Sequence, residues 1–234
     1  MLSRMSKAEI SDARRQFAES GWLAGTPADF QARVFEHCIW QRVAPRVVLA
    51  HGGDLQGGLV GLVSGAVEIV SALGPSDTPI AHIARAPFWF GELPSIGGQA
   101  RTATFITRTA ADIALLPQAA VEAIMATRPE WWRLLGILSL EGIRLLTQIS
   151  TDLLIHNTRR RCVAVLLRVA GCRTEGDVSC AAGIGQDELA AMANMSRQTA
   201  GTVLRSLEAE GAVTLGYRSI TIDRPAQLRA IVDV

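Results

Sequence analysis

The stretch Gln186-Asp-Glu-Leu-Ala-Ala-Met-Ala-Asn-Met-Ser-Arg-Gln-Thr-Ala-Gly-Thr-Val-Leu-Arg-Ser-Leu207 decides how this chain reads. Two short amphipathic helices joined by a tight turn fit it. Ala190 is the small residue where two such helices cross closely. Asn194 tolerates left-handed backbone at the turn, and Ser196 caps the second helix. Leu189, Met192, Met195, Ala200, Val203, Leu204 and Leu207 recur at helical spacing as a buried stripe. The exposed face of the second helix carries Arg197, Gln198, Thr202 and Arg205. That is the pattern of a helix-turn-helix offering polar and basic side chains to a DNA major groove. A plain helical hairpin with a solvated face shares the apolar spacing. Small residue, turn, cap and donors falling into place together favour DNA.

Downstream, Ala212 to Leu215 and Ser219 to Ile222 flank Gly216-Tyr217-Arg218 as a small β-wing, and Pro225 to Val232 is a last short helix. Upstream, Gly171 to Gly185 is glycine-rich with room for a short hairpin, and Arg159 to Ala170 is a helix with a basic start. Asn157-Thr158 interrupts the helical pattern and marks a domain boundary. Before it, Pro129 opens a long helix running to about Asn157. Leu135, Leu138, Gly142, Leu145, Ile149 and Asp152 are spaced three and four apart, and Leu134, Ile137, Leu146 and Leu153 widen the stripe. A long helix apolar on two sides is expected to pack on its own domain with one side and to meet a symmetry mate with the other. Gln118 to Ala126 is a further short helix.

From Arg46 to Leu116 the pattern is different. Val47 to Leu49, Leu59 to Val63, Ala66 to Leu73, Ile80 to Ile83, Ala103 to Ile106 and Ile113 to Leu116 are short apolar runs. Turn signals separate them at Gly52-Gly53-Asp54, Gly57-Gly58, Ser64-Gly65, Gly74-Pro75 and Gly97-Gly98. Many short strands at near-regular spacing predict a β-barrel or jelly-roll. Ahead of it, Ser6 to Ser20 reads as a helix with a Ser6/Glu9 capping box and Gly21 as its stop. Thr26-Pro27 is expected to open a second helix, capped by Thr26, that runs to about Cys38.

Composition bounds these readings. The 234 residues suffice for two modest domains, and 49% hydrophobic content supports a packed core. The 23 basic and 22 acidic residues leave a net charge of +1, so a nucleic-acid site must come from local clusters such as Arg159-Arg160-Arg161 and Arg197 to Arg205. No apolar run approaches the roughly 20 residues of a membrane span. The first seven residues lack a signal-peptide core. Cys38, Cys162, Cys172 and Cys180 lie scattered without short paired spacing, which predicts reduced thiols in a cytoplasmic protein and no iron–sulfur site. The four histidines are likewise scattered, and no metal site is expected. No nucleophile–base pair with supporting context suggests an enzyme.

A second constellation lies at Phe90-Gly91-Glu92-Leu93, followed ten residues after Gly91 by Arg101-Thr102-Ala103-Thr104. Glu92 can accept a hydrogen bond from a sugar hydroxyl, and Arg101 can contact a phosphate bidentately. Gly91 and the amides after it can approach an anion closely at a short helix start. Taken alone, the pair is equally a structural ion pair. Within a small barrel ahead of a long helix, it becomes specific.

With these residues in view, the chain resembles the cyclic AMP receptor protein/FNR superfamily of bacterial transcription factors. Phe90 to Thr104 resembles the phosphate-binding cassette of cyclic-nucleotide-binding domains, and Gln186 to Leu207 the family's winged helix-turn-helix. The resemblance spans roughly Ala28 to Ile222. It implies an α+β fold: an N-terminal cyclic-nucleotide-binding β-roll (jelly-roll), a long dimerisation helix and a C-terminal winged helix-turn-helix. The expected organisation is a helical extension at 1–25, the roll at 26–128, the dimerisation helix and hinge at 129–157, and the DNA-binding domain at 158–234.

The family implies ligand roles for Gly91, Glu92, Leu93, Arg101, Thr102 and Thr147. Glu92 would take the ribose 2′-hydroxyl. Arg101 and the backbone at Gly91 to Leu93 would take the cyclic phosphate, and Thr102 the phosphate or a guanine. Thr147 would lie near the purine. On DNA, Ser196 caps while Arg197 and Gln198 read base edges; Thr202, where the best-known relatives carry arginine, and Arg205 complete the face. Arginine suits guanine and glutamine suits adenine.

Two departures stand out: Pro94-Ser95-Ile96 after the cassette glutamate, and Gly185 where serine or threonine often caps. The expected effector is cAMP or cGMP. The expected partners are a palindromic operator in double-stranded DNA, a second copy of the chain and RNA polymerase, with no membrane. Two alternatives stay open: the same regulator with haem, another effector or no ligand, and a cyclic-nucleotide module acting on a protein partner.

Overall fold

A computed structural model describes residues 2–73, 80–173 and 178–233. It forms two compact units, Met1–Thr78 with Ile83–Arg144, and Pro79–His82 with Leu145–Val234. The expected turn at Gly74-Pro75 lies outside the described residues, as do residues 174–177.

The first unit begins with β1 (Leu2–Arg4), α1 (Lys7–Glu19), a 3-10 turn at Trp22–Gly25 and α2 (Ala28–His37). The strands β2 (Ile39–Val43), β3 (Val48–Ala50), β4 (Gly58–Ser64), β5 (Ala66–Ser71), β6 (Ile80–Arg85) and β7 (Phe88–Phe90) follow. Then come α3 (Leu93–Gly97), β8 (Ala103–Thr107), β9 (Ala111–Pro117), α4 (Gln118–Thr127) and α5 (Trp132–Leu154), with the first three residues of β6 and the end of α5 from Leu145 counted in the second unit. The strands form two sheets, ordered β1-β2-β9-β4-β7 and β3-β8-β5-β6. Six of them match the apolar runs of the sequence. β1, β2 and β7 are not among those runs; β2 and β7 pair within the first sheet, Trp40 opposite Ala114 and Trp89 opposite Gly61.

Ser6 caps α1 as expected: its hydroxyl accepts from the Glu9 amide, while Glu9 accepts from the Ser6 amide. The segment expected to be an extension is built into the core. Phe17 is fully buried, with its ring centroid 4.9 Å from that of Trp89. Trp22 packs edge-on against Phe30 and Trp89 and donates its indole N–H to the Leu134 carbonyl at 2.7 Å. Burying one such ring contributes about 1.5–3 kcal/mol, so the extension stabilises the roll. The expected Thr26 cap is corrected. The Thr26 hydroxyl donates back to the Leu23 carbonyl at 2.7 Å, and α2 starts at Ala28 without a side-chain cap.

α5 has two faces. Leu135 and Leu138 are buried in the same core as Phe17. Ile137, Leu140 and Ile143 stand exposed around another side of the helix, while exposed Leu146, about three turns beyond Leu135, continues the line of that buried residue.

The second unit continues with α6 (Thr158–Ala170), β10 (Cys180–Ala181), α7 (Gln186–Met192), α8 (Arg197–Ala209), β11 (Val213–Gly216), β12 (Ser219–Ile222) and α9 (Pro225–Val232). Asn157 caps α6, accepting from the Arg160 amide at 3.0 Å. Every residue from Cys162 to Val169 on that helix is buried. Of the hairpin expected at Gly171 to Gly185, the one strand among the described residues, β10, does not pair with a neighbour in this stretch. β10 pairs instead with β12, Cys180 opposite Ile222, and adds a third strand to the wing sheet. Arg168 and Asp152, each with a side chain 2% exposed, form an ion pair at 2.8 Å. Among the described residues no helix is long and apolar enough to cross a membrane.

Candidate ligand cassette and DNA-reading helix

The cassette starts where β7 ends. Gly91 has φ +104°, and a methyl there would lie 2.7 Å from both Arg101 Nη1 and the Gly58 carbonyl oxygen. Backbone conformation and space therefore both demand glycine. Glu92 is buried and accepts a hydrogen bond from the Ser139 hydroxyl of α5 at 3.1 Å. Leu93 opens α3 and is partly exposed. The Pro94-Ser95-Ile96 departure has a structural reason. Buried Ser95 accepts from the Gly58 amide at 3.0 Å and donates to Gln118, fastening α3 to β4 and α4.

Arg101 reaches the same place from the other side. Its amide donates to the Asp54 carbonyl, and its own carbonyl accepts from Gly53. Nη2 donates to the carbonyls of Gln56 at 3.0 Å and Gly58 at 3.3 Å. Nη1 is buried and finds no acceptor among the described residues. Burial pushes the guanidinium pKa down, while the charges of Asp54 and Glu92 act the other way. A buried donor left unmade costs about 1–3 kcal/mol, and a phosphate oxygen at Nη1 would satisfy it. The cassette therefore fits a small phosphate-bearing anion. Gly91, Glu92 and Arg101 come together as expected. Thr102 is exposed beside them, its carbonyl held by the Ala72 amide. Thr147 is exposed on α5 and belongs to the second unit. Sequence reasoning missed Ser139 and Ser95.

The turn and cap of the helix-turn-helix stand as expected. Asn194 has φ +48° in the turn, and Ser196 accepts from the Thr199 amide at 3.1 Å. Arg197, Gln198, Thr202 and Arg205 are exposed, while Ala190, Leu204 and Leu207 are buried behind them. Gly185 supplies no capping hydroxyl, but Glu188 accepts from its amide at 2.9 Å, the other half of a capping box. Arg197 Nε rests 2.8 Å from Asp187, with both side chains well exposed. Such a pair is worth about 0–1 kcal/mol and yields easily to a base.

The Arg159-Arg160-Arg161 cluster, expected to supply basic charge for DNA, is corrected. Arg159 clamps Ser206 and Glu210 at the end of α8, and Arg160 donates to the Val232 carbonyl. Arg161 donates to the carbonyls of Ala193 and Ile155. These arginines hold the unit together. Arg197→Ala is expected to cost about 1–3 kcal/mol at one base pair of a specific site. Competition assays with single-base operator variants check this, and an equal loss on random DNA would contradict base reading.

A roll with a glutamate–arginine cassette and a winged helix-turn-helix together define a ligand-responsive class of DNA-binding protein. Residues 40–128 match the family model of the cyclic nucleotide-binding domain, and residues 160–231 that of the Crp-like helix-turn-helix domain. The chain belongs to the cyclic AMP receptor protein/FNR superfamily of transcription regulators.

Solved structures share the fold. The c-di-GMP responsive global regulator CLP of Xanthomonas campestris is 21% identical, with a TM-score of 0.64 over 84% of this chain and 99% of its own. A CRP/FNR-family regulator from Thermus thermophilus is 20% identical, with a TM-score of 0.63 over 83% and 98%. FixK2 from Bradyrhizobium japonicum is 14% identical, with a TM-score of 0.68 over 83% and 96%. Comparison with curated proteins found none that matches.

Proposed function

We propose that the chain works in the cytoplasm as a homodimeric, sequence-specific regulator whose affinity for a palindromic operator is set by cAMP or cGMP. The observation that carries this is the buried, acceptor-less Nη1 of Arg101 beside Gly91. Arg101 holds the cyclic phosphate with the backbone at Gly91 to Leu93, Glu92 takes the ribose, and Thr102 and Thr147 are the candidates for the base. Occupancy at Glu92 competes with its hydrogen bond to Ser139, so α5 feels the ligand directly. Only a ligand that binds one arrangement better shifts the equilibrium. Arg197, Gln198, Thr202 and Arg205 read the operator behind the Ser196 cap, and RNA polymerase is the downstream partner.

Residues 129–157 serve as the dimerisation helix and hinge. The exposed Ile137, Leu140 and Ile143 would lie in its seam. Leu140→Glu, at a half-exposed site, is expected to leave the roll folded. Each copy loses on the order of 2 kcal/mol of contact, and the twofold axis counts the loss twice, so dimer dissociation rises roughly 1000-fold. Sedimentation of the variant as a dimer at low micromolar concentration would remove this seam from the account.

Fluorescence anisotropy on pooled genomic fragments tests the whole reading. Ligand-dependent, sequence-selective binding supports it. Binding identical with and without cAMP, cGMP and c-di-GMP would refute nucleotide control while keeping the DNA function.

A further inference from the structure

The sequence expectation of scattered thiols fails at one place. Cys172 Sγ and Cys180 Sγ lie 2.7 Å apart, within about 0.7 Å of the roughly 2.05 Å disulfide bond. Both backbones are pinned. The Cys172 amide donates to the Leu167 carbonyl at 3.0 Å, and the Cys172 carbonyl accepts from Arg229 at 3.2 Å. Cys180 is held in β10 opposite Ile222. Neither strand nor turn has to move far for the sulfurs to bond. The other two cysteines, Cys38 and Cys162, are buried, and burial pushes each thiol up to about 12.

We propose that Cys172 and Cys180 are an oxidisable dithiol, a modification site in the DNA-binding unit at which a hydroperoxide closes an intramolecular disulfide. Cys180 is partly exposed, whereas Cys172 is buried, with its thiol raised to about 12 by burial first and by Cys180 second. Cys180 is therefore the attacking sulfur. Its thiolate attacks one peroxide oxygen: an S–O bond forms and the O–O bond breaks. The departing oxygen takes a proton and leaves as water or an alcohol. Cys172 Sγ then attacks the Cys180 sulfur. The S–S bond forms, the S–O bond breaks, and hydroxide leaves as water with the Cys172 proton. The peroxide gains two electrons and each sulfur gives one. A dithiol reductant reverses the change.

The ring that closes ties the edge of the wing sheet to the end of α6. It also encloses Arg173, which pairs at 3.3 Å with Asp152, the same carboxylate that holds Arg168. Cytosolic disulfides of this kind are transient and redox-sensing.

The test treats reduced full-length protein with a small excess of hydrogen peroxide, alkylates what remains free, and maps peptides without reduction. The expected result is loss of two of the four thiols, a mass decrease of about 2 Da before alkylation, and a Cys172–Cys180 link that dithiothreitol removes. Cys180→Ser should stop thiol loss at that dose. Cys172→Ser should leave Cys180 trapped as a sulfenic acid that dimedone labels. Circular dichroism checks that each variant folds, and the partly exposed Cys180 substitution suffices if the buried one does not. Four alkylatable thiols after treatment, Cys180 over-oxidised beside a free Cys172, or a link between chains would each overturn the proposal.

Discussion

Arg101→Ala is expected to weaken cyclic-nucleotide binding by at least about 30-fold. Nη1 is a buried charged donor with no acceptor among the described residues, set against a glycine whose missing side chain leaves the room. Truncating one partner of a buried, hydrogen-bonded charge pair costs about 2–5 kcal/mol, or roughly 30-fold to 3000-fold in affinity. Nη2 also holds the carbonyls of Gln56 and Gly58, so the substitution loosens that loop as well. Arg101→Lys separates the effects: it keeps the charge but not the planar fork, and should recover only part of the affinity. Titration calorimetry on the two variants, with tryptophan emission as a folding check, reads the outcome. Wild-type affinity in a folded Arg101→Ala variant would mean that the ligand binds elsewhere.

The second large effect concerns the far end of α5. Asp152→Ala leaves Arg168 charged, with its side chain 2% exposed, and removes its 2.8 Å partner. Contacts from Arg168 Nη1 to the Ala81 carbonyl at 3.2 Å and to His82 Nδ1 at 3.1 Å remain but bring no opposite charge. Breaking a buried pair from one side costs about 3–5 kcal/mol. The readout can be assigned to one unit. All five tryptophans, Trp22, Trp40, Trp89, Trp131 and Trp132, lie in the first unit. In urea, helical circular dichroism should fall early in the variant while tryptophan emission keeps its wild-type midpoint. A common, unshifted midpoint for both probes would show that Asp152 contributes little. Asp152→Asn, which keeps an acceptor but not the charge, should fall between the two.

What the sequence made legible was what a short window contains. The cap at Ser196, the left-handed turn at Asn194 and the stripe from Leu189 to Leu207 all depend on neighbours within two helices. They stand in the structure as read, except that Met195 and Val203 of the stripe are only half-buried. The α1 capping box is equally local. What escaped depends on distant partners. β7 is three residues long and exists because β4 pairs with it. Phe17 reads as one apolar residue on a helix, and only Trp89, far along the chain, makes it core.

Three consecutive arginines look like a basic patch until each finds an acceptor in the fold. Asp152 sits among leucines in the sequence, and its partner lies on the next helix. In the cassette, Glu92 and Arg101 are legible from their spacing. Ser139 is not, because a helix apolar on two sides does not reveal which flank faces the roll.

Calorimetric titration of nucleotide-free protein with cAMP and, separately, cGMP tests the central claim most directly. The account predicts saturable binding in the micromolar range or tighter for at least one of them, weakened at least about 30-fold in Arg101→Ala. No heat from either ligand, in folded protein shown to carry no bound nucleotide, would contradict it.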